Sequence, residues 1–244
     1  RTLLCTQSQA DSPTVVSLCE TWTHPEILDS ELAIPGYTLK IRDDRSDTTR
    51  GRGGGILVYV KDGVVAYEDG SKLLEEYKQG ACLKIATGNR TVKLYVIYRS
   101  PNSNQENDLA LENVMNQSDK DTIFIGDFNF PDVDWPSMTC ETSKSQRFVD
   151  LVSDNFLHQL VDFPTRKLRT LDLLLVGDPN IIDNVKCAGK IGTSDHNAIE
   201  FVVRQSPLGP PPSTELIPNF AKANFYEIKR ELAGRNWCLD FHNM

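Results

Sequence analysis

Seven short apolar runs set the terms for this chain: TVVSLCE (14–20), GGILVYVK (54–61), ACLKIAT (81–87), VKLYVIYRS (92–100), TIFIGDF (122–128), LDLLLVG (171–177) and AIEFVV (198–203). They are rich in β-branched and aromatic residues and are bounded by Gly, Pro, Asn or Asp, so each reads as a strand. Helical spacing is confined to fewer places. One is NDLALENVMNQS (107–118); another is SKSQRFVDLVSDN (143–155), with Phe148, Leu151 and Val152 on one face behind a Ser cap. Many strands with few intervening helices predict an α/β sandwich rather than an all-β barrel.

A chain of 244 residues accommodates one such domain. Its character changes near residue 205, where SPLGPPPSTELIP (206–218) reads as a semi-rigid Pro-rich tether. FAKANFYEIKRELAGRNW (220–237) then reads as an amphipathic helix. The expected division is a domain over 1–204, a linker over 205–219 and a helical segment over 220–244. No stretch approaches the roughly 18 apolar residues of a membrane helix, and the first residues show no cationic segment followed by an apolar one. No membrane partner is expected. The six cysteines are scattered without a close pair, which favours free thiols and an intracellular setting. A net charge of -8 argues against a general polyphosphate binder, because such binding rests on Lys and Arg. Metal-holding acids contribute to that charge, however, and a local basic rim can still face a substrate.

Polar residues at the strand ends are harder to place in a packed core. Glu20 closes the first run and, by itself, reads first as a solvated strand-end charge. Tyr98 and Arg99 close another run, where a rim tyrosine and a solvated arginine are the plain structural readings. In IGDFN, Asp127 and Asn129 alternate with Phe128, so period 2 would put both polar side chains on one face. A turn reading of the same residues stands beside it, since Asp and Asn favour turns. Asp172 lies among leucines, and a buried carboxylate there must be paired. Ser194, Asp195 and His196 immediately precede the last run, and an imidazole beside a carboxylate can be oriented or charged by it. The combined inventory is oxygen-rich with a single histidine. Such donors select Mg²⁺, or Mn²⁺ in its place, over zinc, with substrate phosphate completing the metal shell. Hydrolysis of a phosphate ester is the chemistry that these groups could share.

Taken in order, CETW around Glu20, GRGGGILVYV (51–60), YRSP (98–101), IGDFN (125–129), TLDLLLV (170–176) and SDH (194–196) resemble the endonuclease/exonuclease/phosphatase superfamily, which includes DNase I and the apurinic endonucleases. More narrowly, ETW, the RGGG run and GDFN followed by P-x-V-x-W are similar to the endonuclease domain of non-LTR retrotransposons of the chicken-repeat-1 type. The match runs from about residue 14 to 204. This resemblance implies a four-layer α/β sandwich: two mostly antiparallel mixed sheets packed face to face with helices outside. It implies Glu20 as the metal carboxylate, Asp195 as an additional metal contact and Asp127 as the group that orients or deprotonates the attacking water. Asn129 and Tyr98 would contact the scissile phosphate, and Asp172 would pair with catalytic His196. Arg99, Thr165 and Ser194 would bind substrate or support it.

The resemblance further implies DNA as the substrate, nicked to leave a 3'-hydroxyl that primes reverse transcription. Element RNA would be a partner through a reverse transcriptase beyond the helical segment, and the nucleus the site of action. Arg50, Arg52, Arg99, Arg147, Arg166 and Arg169 are the candidate basic rim. The family opens with a strand ending in a metal-supporting Asn, whereas RTLLCTQSQADSPTVV resembles only the end of the helix that follows it. The expected fold therefore lacks that N-terminal strand. An inactive remnant of the domain, and a phosphatase of phosphoinositides or other small phosphoesters, are the alternatives.

Overall fold

A computed structural model describes residues 2–6, 12–44, 53–70, 72–77, 79–204 and 224–233. Its contacts divide the chain into Arg1–Pro207 and Leu208–Met244. In the first unit the described strands are β1 (Thr2–Thr6), β2 (Val15–Cys19), β3 (Tyr37–Asp43), β4 (Ile56–Lys61), β5 (Ala66–Glu68) and β6 (Gly80–Thr87). They continue with β7 (Arg90–Tyr98), β8 (Thr122–Asp127), β9 (His158–Gln159), β10 (Asp172–Val176), β11 (Ile182–Lys190) and β12 (Asn197–Val203). The α-helices described in this unit are α1 (Lys72–Glu76), α2 (Gln105–Met115) and α3 (Ser143–Asp154). In the second unit, α4 (Phe225–Ala233) covers part of the expected helix, and the Pro-rich linker lies outside the described residues. No helix among the described residues is long and apolar enough to cross a membrane.

The strands form two mixed sheets. One has the order β11-β12-β1-β2-β4-β3 and is parallel only between β1 and β12. The other has the order β5-β6-β7-β8-β10-β9 and is parallel only between β7 and β8. The expected α/β sandwich of two mostly antiparallel sheets is therefore the observed architecture. Between the sheets, Val15, Ile56, Val58, Ile199 and Phe201 of the first pack in one core with Leu94, Val96, Ile123, Ile125 and Leu174 of the second. Burying a side chain of this kind stabilises the fold by about 1.5–3 kcal/mol.

The outer faces are covered differently. Over the second sheet, Leu111, Val114 and Met115 of α2 and Phe148, Val149 and Val152 of α3 meet Tyr95, Ile97, Phe124, Leu173 and Leu175. Both helices start where a side chain satisfies an orphan amide: Asn104 accepts from Asn107 N, and Thr142, rather than a serine, accepts from Ser145 N. Over the first sheet, Val16, Leu57 and Tyr59 are covered by Leu32 and Ile34, which follow the 3-10 turn Asp29–Glu31. Among the described residues, the helical layer is thus on one side, and the outer layer on the other is irregular.

The N-terminal segment differs from expectation in one respect. Thr2–Thr6 is a strand between β2 and β12, not the end of a helix. Its sequence, TLLCT, carries no Asn.

One row of positions prepares the site. Along β8, Ile123, Ile125 and Asp127 alternate with Phe124 and Phe128, which join the helix-covered core. The register pairs Asp127 with Tyr98 of β7 on one side and with Asp172 of β10 on the other. Gly126 makes this row possible: its φ is +146°, and a Cβ would lie 1.8 Å from Ile97 O on the neighbouring strand. Gly126→Ala should therefore push β7 and β8 apart at the site, costing roughly 2–4 kcal/mol. The check is thermal unfolding, with a midpoint lowered by about 5–15 °C; an unchanged midpoint would show that the strands can yield.

Candidate active site

The strand ends of the two sheets converge on a group of buried polar side chains. Asp127 and Asp172 end β8 and begin β10 in the second sheet, while His196 directly precedes β12 in the first. All three are buried, with carboxylate and imidazole atoms within 4.8 Å of one another. His196 Nδ1 lies 2.6 Å from Asp172 Oδ2. A carboxylate in that position selects the imidazole tautomer that is protonated at Nδ1 and leaves Nε2 as the basic face. Nε2 is buried and has no hydrogen-bond partner among the described residues.

Local supports hold each group. Thr165 Oγ1 accepts from the backbone N–H groups of Leu171 and Asp172, at 2.9 and 3.0 Å. Ser194 Oγ accepts from His196 N at 3.1 Å. Asp127 Oδ1 accepts from Asn129 N at 3.1 Å, an Asx-type turn that ends β8. Asn129 has φ +52°, a left-handed conformation that asparagine tolerates. The turn and site readings of IGDFN therefore both describe it. The period-2 argument stops at Asp127, because the strand does, and Asn129 is placed by its turn. Its Nδ2 donates to Arg99 O at 2.8 Å.

Glu20 and Tyr98 form a second pair across the sheets, with Tyr98 OH donating to Glu20 Oε1 at 2.6 Å. Tyr77, fully buried, donates from its OH to Tyr98 O at 2.9 Å and so fixes the end of β7.

Arg99 is placed otherwise than a substrate-binding arginine would be. It is 2% exposed, and its guanidinium donates to both carboxylate oxygens of Asp108 and to Phe128 O and Asn129 O, above the Phe130 ring. Its observed bonds make it an internal clamp on the loop that carries Asn129. Asp108, which also accepts from Ser103 and pairs with Lys144, is the partner the sequence did not reveal. Only its position nine residues after Arg99, in the first turn of α2, could have hinted at it. Burial raises the Asp108 pKa, but the hydrogen bonds from Arg99, Lys144 and Ser103 outweigh that and hold it below the ordinary carboxylate range.

The other expected residues separate. Asp195 Oδ2 accepts from Arg166 Nε at 2.7 Å in a half-exposed pair, and Asp195 is not among the three clustered metal-capable groups; nor is Glu20. Asp172, expected only as the histidine's partner, is among them. Of the expected basic rim, Arg99 is buried and Arg147 pairs with Glu112. Arg169 lines an open groove with Trp135, Phe163 and Pro164, and Arg50 and Arg52 lie outside the described residues.

Two carboxylates and an imidazole so close together can hold a divalent cation. The donor set does not by itself distinguish Mg²⁺ from other divalent ions.

Comparison with known proteins agrees with this geometry. Residues 92–200 match the family described as Endonuclease-reverse transcriptase. No curated protein matches the chain. Among solved structures, the endonuclease domain of TRAS1, a telomere-specific non-LTR retrotransposon, is similar with a TM-score of 0.55 and 19% identity, over 70% of this chain and 80% of that one. A 3'-5' exonuclease, NExo, from Neisseria meningitidis is similar with a TM-score of 0.53 and 13% identity, over 84% of this chain and 100% of that one. The 3' phosphatase NExo from Neisseria, bound to product DNA hairpin, gives 0.51 and 12%, over 80% and 96%. At these identities the structures establish the fold. The chain thus shares the fold of these enzymes, and its segment 92–200 is similar to the endonuclease-reverse transcriptase family.

Proposed function

We propose that the chain is a metal-dependent phosphodiesterase that nicks DNA, as a retrotransposon endonuclease does to supply a 3'-hydroxyl for reverse transcription. The observation that carries this reading is the buried Asp127, Asp172 and His196 group with Nε2 of the histidine left without a partner. A purely structural histidine would be expected to satisfy both ring nitrogens, because an unsatisfied buried polar atom costs about 1–3 kcal/mol.

The residues divide the work as follows. Asp172 holds His196 in one tautomer and orientation, so that Nε2 is available to the attacking water or to a phosphate oxygen. Asp127, one strand away, orients or deprotonates that water. Tyr98 and Asn129, at the same strand ends, hydrogen-bond the scissile phosphate, and Thr165 and Ser194 keep the Asp172 and His196 backbones in place. Mg²⁺, or Mn²⁺ in its place, would be held by Glu20, with Asp195 as a further contact once released from Arg166. When bound it would neutralise charge on the phosphate and on the leaving oxygen. DNA is the substrate in this reading, and element RNA would be reached only through a reverse transcriptase.

A second reading, a remnant that keeps the fold without the activity, is favoured by β1 carrying no Asn. Nicking of supercoiled plasmid separates the two. In the first reading Mg²⁺ supports nicking, EDTA abolishes it, and Asp127→Ala lowers the rate by at least about 10²-fold. Equal nicking by wild type and Asp127→Ala would sink the assignment. No nicking, together with no thermal shift on adding Mg²⁺ or Mn²⁺, would establish the remnant.

The Asp172 and His196 pair makes a sharper prediction. If the two act as a unit, Asp172→Asn, His196→Ala and the double variant should lose similar amounts of single-turnover rate, because effects within a unit do not add. A multiplicative loss in the double variant would show that they act separately.

A further inference from the structure

The glycine run Gly53–Gly55 takes no part in the chemistry above, and its geometry shows what it seats. A Cβ on Gly55 would lie 2.4 Å from Thr21 Oγ1 and 3.3 Å from both Thr23 Oγ1 and Trp22 N. Thr21 N and Trp22 N donate to Gly55 O and Gly54 O, at 3.3 and 3.0 Å. The loop that follows β2 therefore rests directly on glycine backbone. Within that loop, Glu20 and Trp22 are both left-handed, with φ of +53° and +58°. A bulky L residue rarely adopts this conformation, and each instance costs on the order of 1–3 kcal/mol unless its surroundings impose it. Thr23 is buried and its hydroxyl is 3.0 Å from that of Thr21, so the loop is fixed on either side of Trp22. Trp22 itself is 45% exposed, two residues from the Glu20 carboxylate that accepts from Tyr98.

We propose that Trp22 is a substrate-contacting residue whose indole stacks on an unpaired nucleobase flanking the phosphate to be cleaved. The proposal rests on the DNA-nicking reading. A tryptophan is ordinarily well buried; here a strained, glycine-seated loop leaves it nearly half exposed, two residues along the chain from Glu20. Every base offers a π face, so an aromatic platform holds a strand without reading its sequence. The ring is also rigid, with little side-chain entropy to lose. An acidic chain of net charge -8 gains little from general attraction to phosphates, so a contact that does not depend on charge has particular value to it.

The test compares wild type, Trp22→Ala, Trp22→Phe and Trp22→Gly for binding to a labelled single-stranded oligonucleotide and to an abasic oligomer of equal length. Binding is read by anisotropy without divalent metal, so it does not require cleavage. Wild type should bind the base-bearing strand about tenfold more tightly than the abasic one. Trp22→Ala should erase that preference, and Trp22→Phe should keep most of it. Trp22→Gly, which relieves the left-handed strain, should lose the preference while melting no lower than wild type. Retention of the full preference by Trp22→Ala, or no preference in wild type, overturns the proposal. If wild type shows the preference but does not nick plasmid with Mg²⁺, the nicking reading fails and the Trp22 contact stands. If it nicks without the preference, the reverse holds.

Discussion

A buried carboxylate and imidazole, 2.6 Å apart, join the ends of the two sheets, and the rest of the site is arranged around that bond. Asp172 belongs to the second sheet and His196 leads into the first. Neither could be left alone in an apolar interior without a penalty of about 1–3 kcal/mol for the unsatisfied partner. Their pairing answers that cost and also sets a ring orientation that leaves Nε2 available. Thr165 and Ser194 add bonds to the backbones of the same two residues, so the pair is held through main chain as well as side chain.

Around this bond, the sheet register does most of the positioning. Tyr98, Asp127 and Asp172 occupy adjacent positions on three neighbouring strands, so a single row carries a phenol and two carboxylates into the space between the sheets. The row requires close strands, which is why a residue without a Cβ stands at 126. The loops beyond the strands are then secured one by one. Arg99 draws the carbonyls of Phe128 and Asn129 to its guanidinium, and Asp108 and the Phe130 ring hold the guanidinium in turn. Burying an arginine this deeply is tolerable only with so complete a set of partners. Glycine backbone performs the corresponding service for the loop after β2.

Much of this was legible in the sequence because buried strands must be apolar. All seven apolar runs are strands, and both helices predicted within the first unit are present. Apart from β1, which the sequence suggested as a helix end, the elements that escaped notice are those at sheet edges or with little full burial. β11 alternates little and is mostly exposed along an edge of the first sheet, while β3, β5 and β9 are edge strands. α1 is only one turn long and buries no residue fully. The polar strand ends were visible as an anomaly, since Asp172 among leucines had to be paired. Their partners were less visible: Arg99 read as a rim cation because nothing local announces Asp108, and nothing local announces that Arg166, far away in sequence, pairs with Asp195.

By itself, the sequence determined which apolar runs are strands, which of them end in polar groups, and that those groups form an oxygen-rich set with one histidine. These properties reside in residue types and short-range periodicity. Only the tertiary structure decided which polar groups meet. Asp172 and His196 are 24 residues apart, and Tyr98 and Glu20 are 78. Such pairings follow from strand order, register and the packing of one sheet on another, none of which is encoded within the reach of a local pattern.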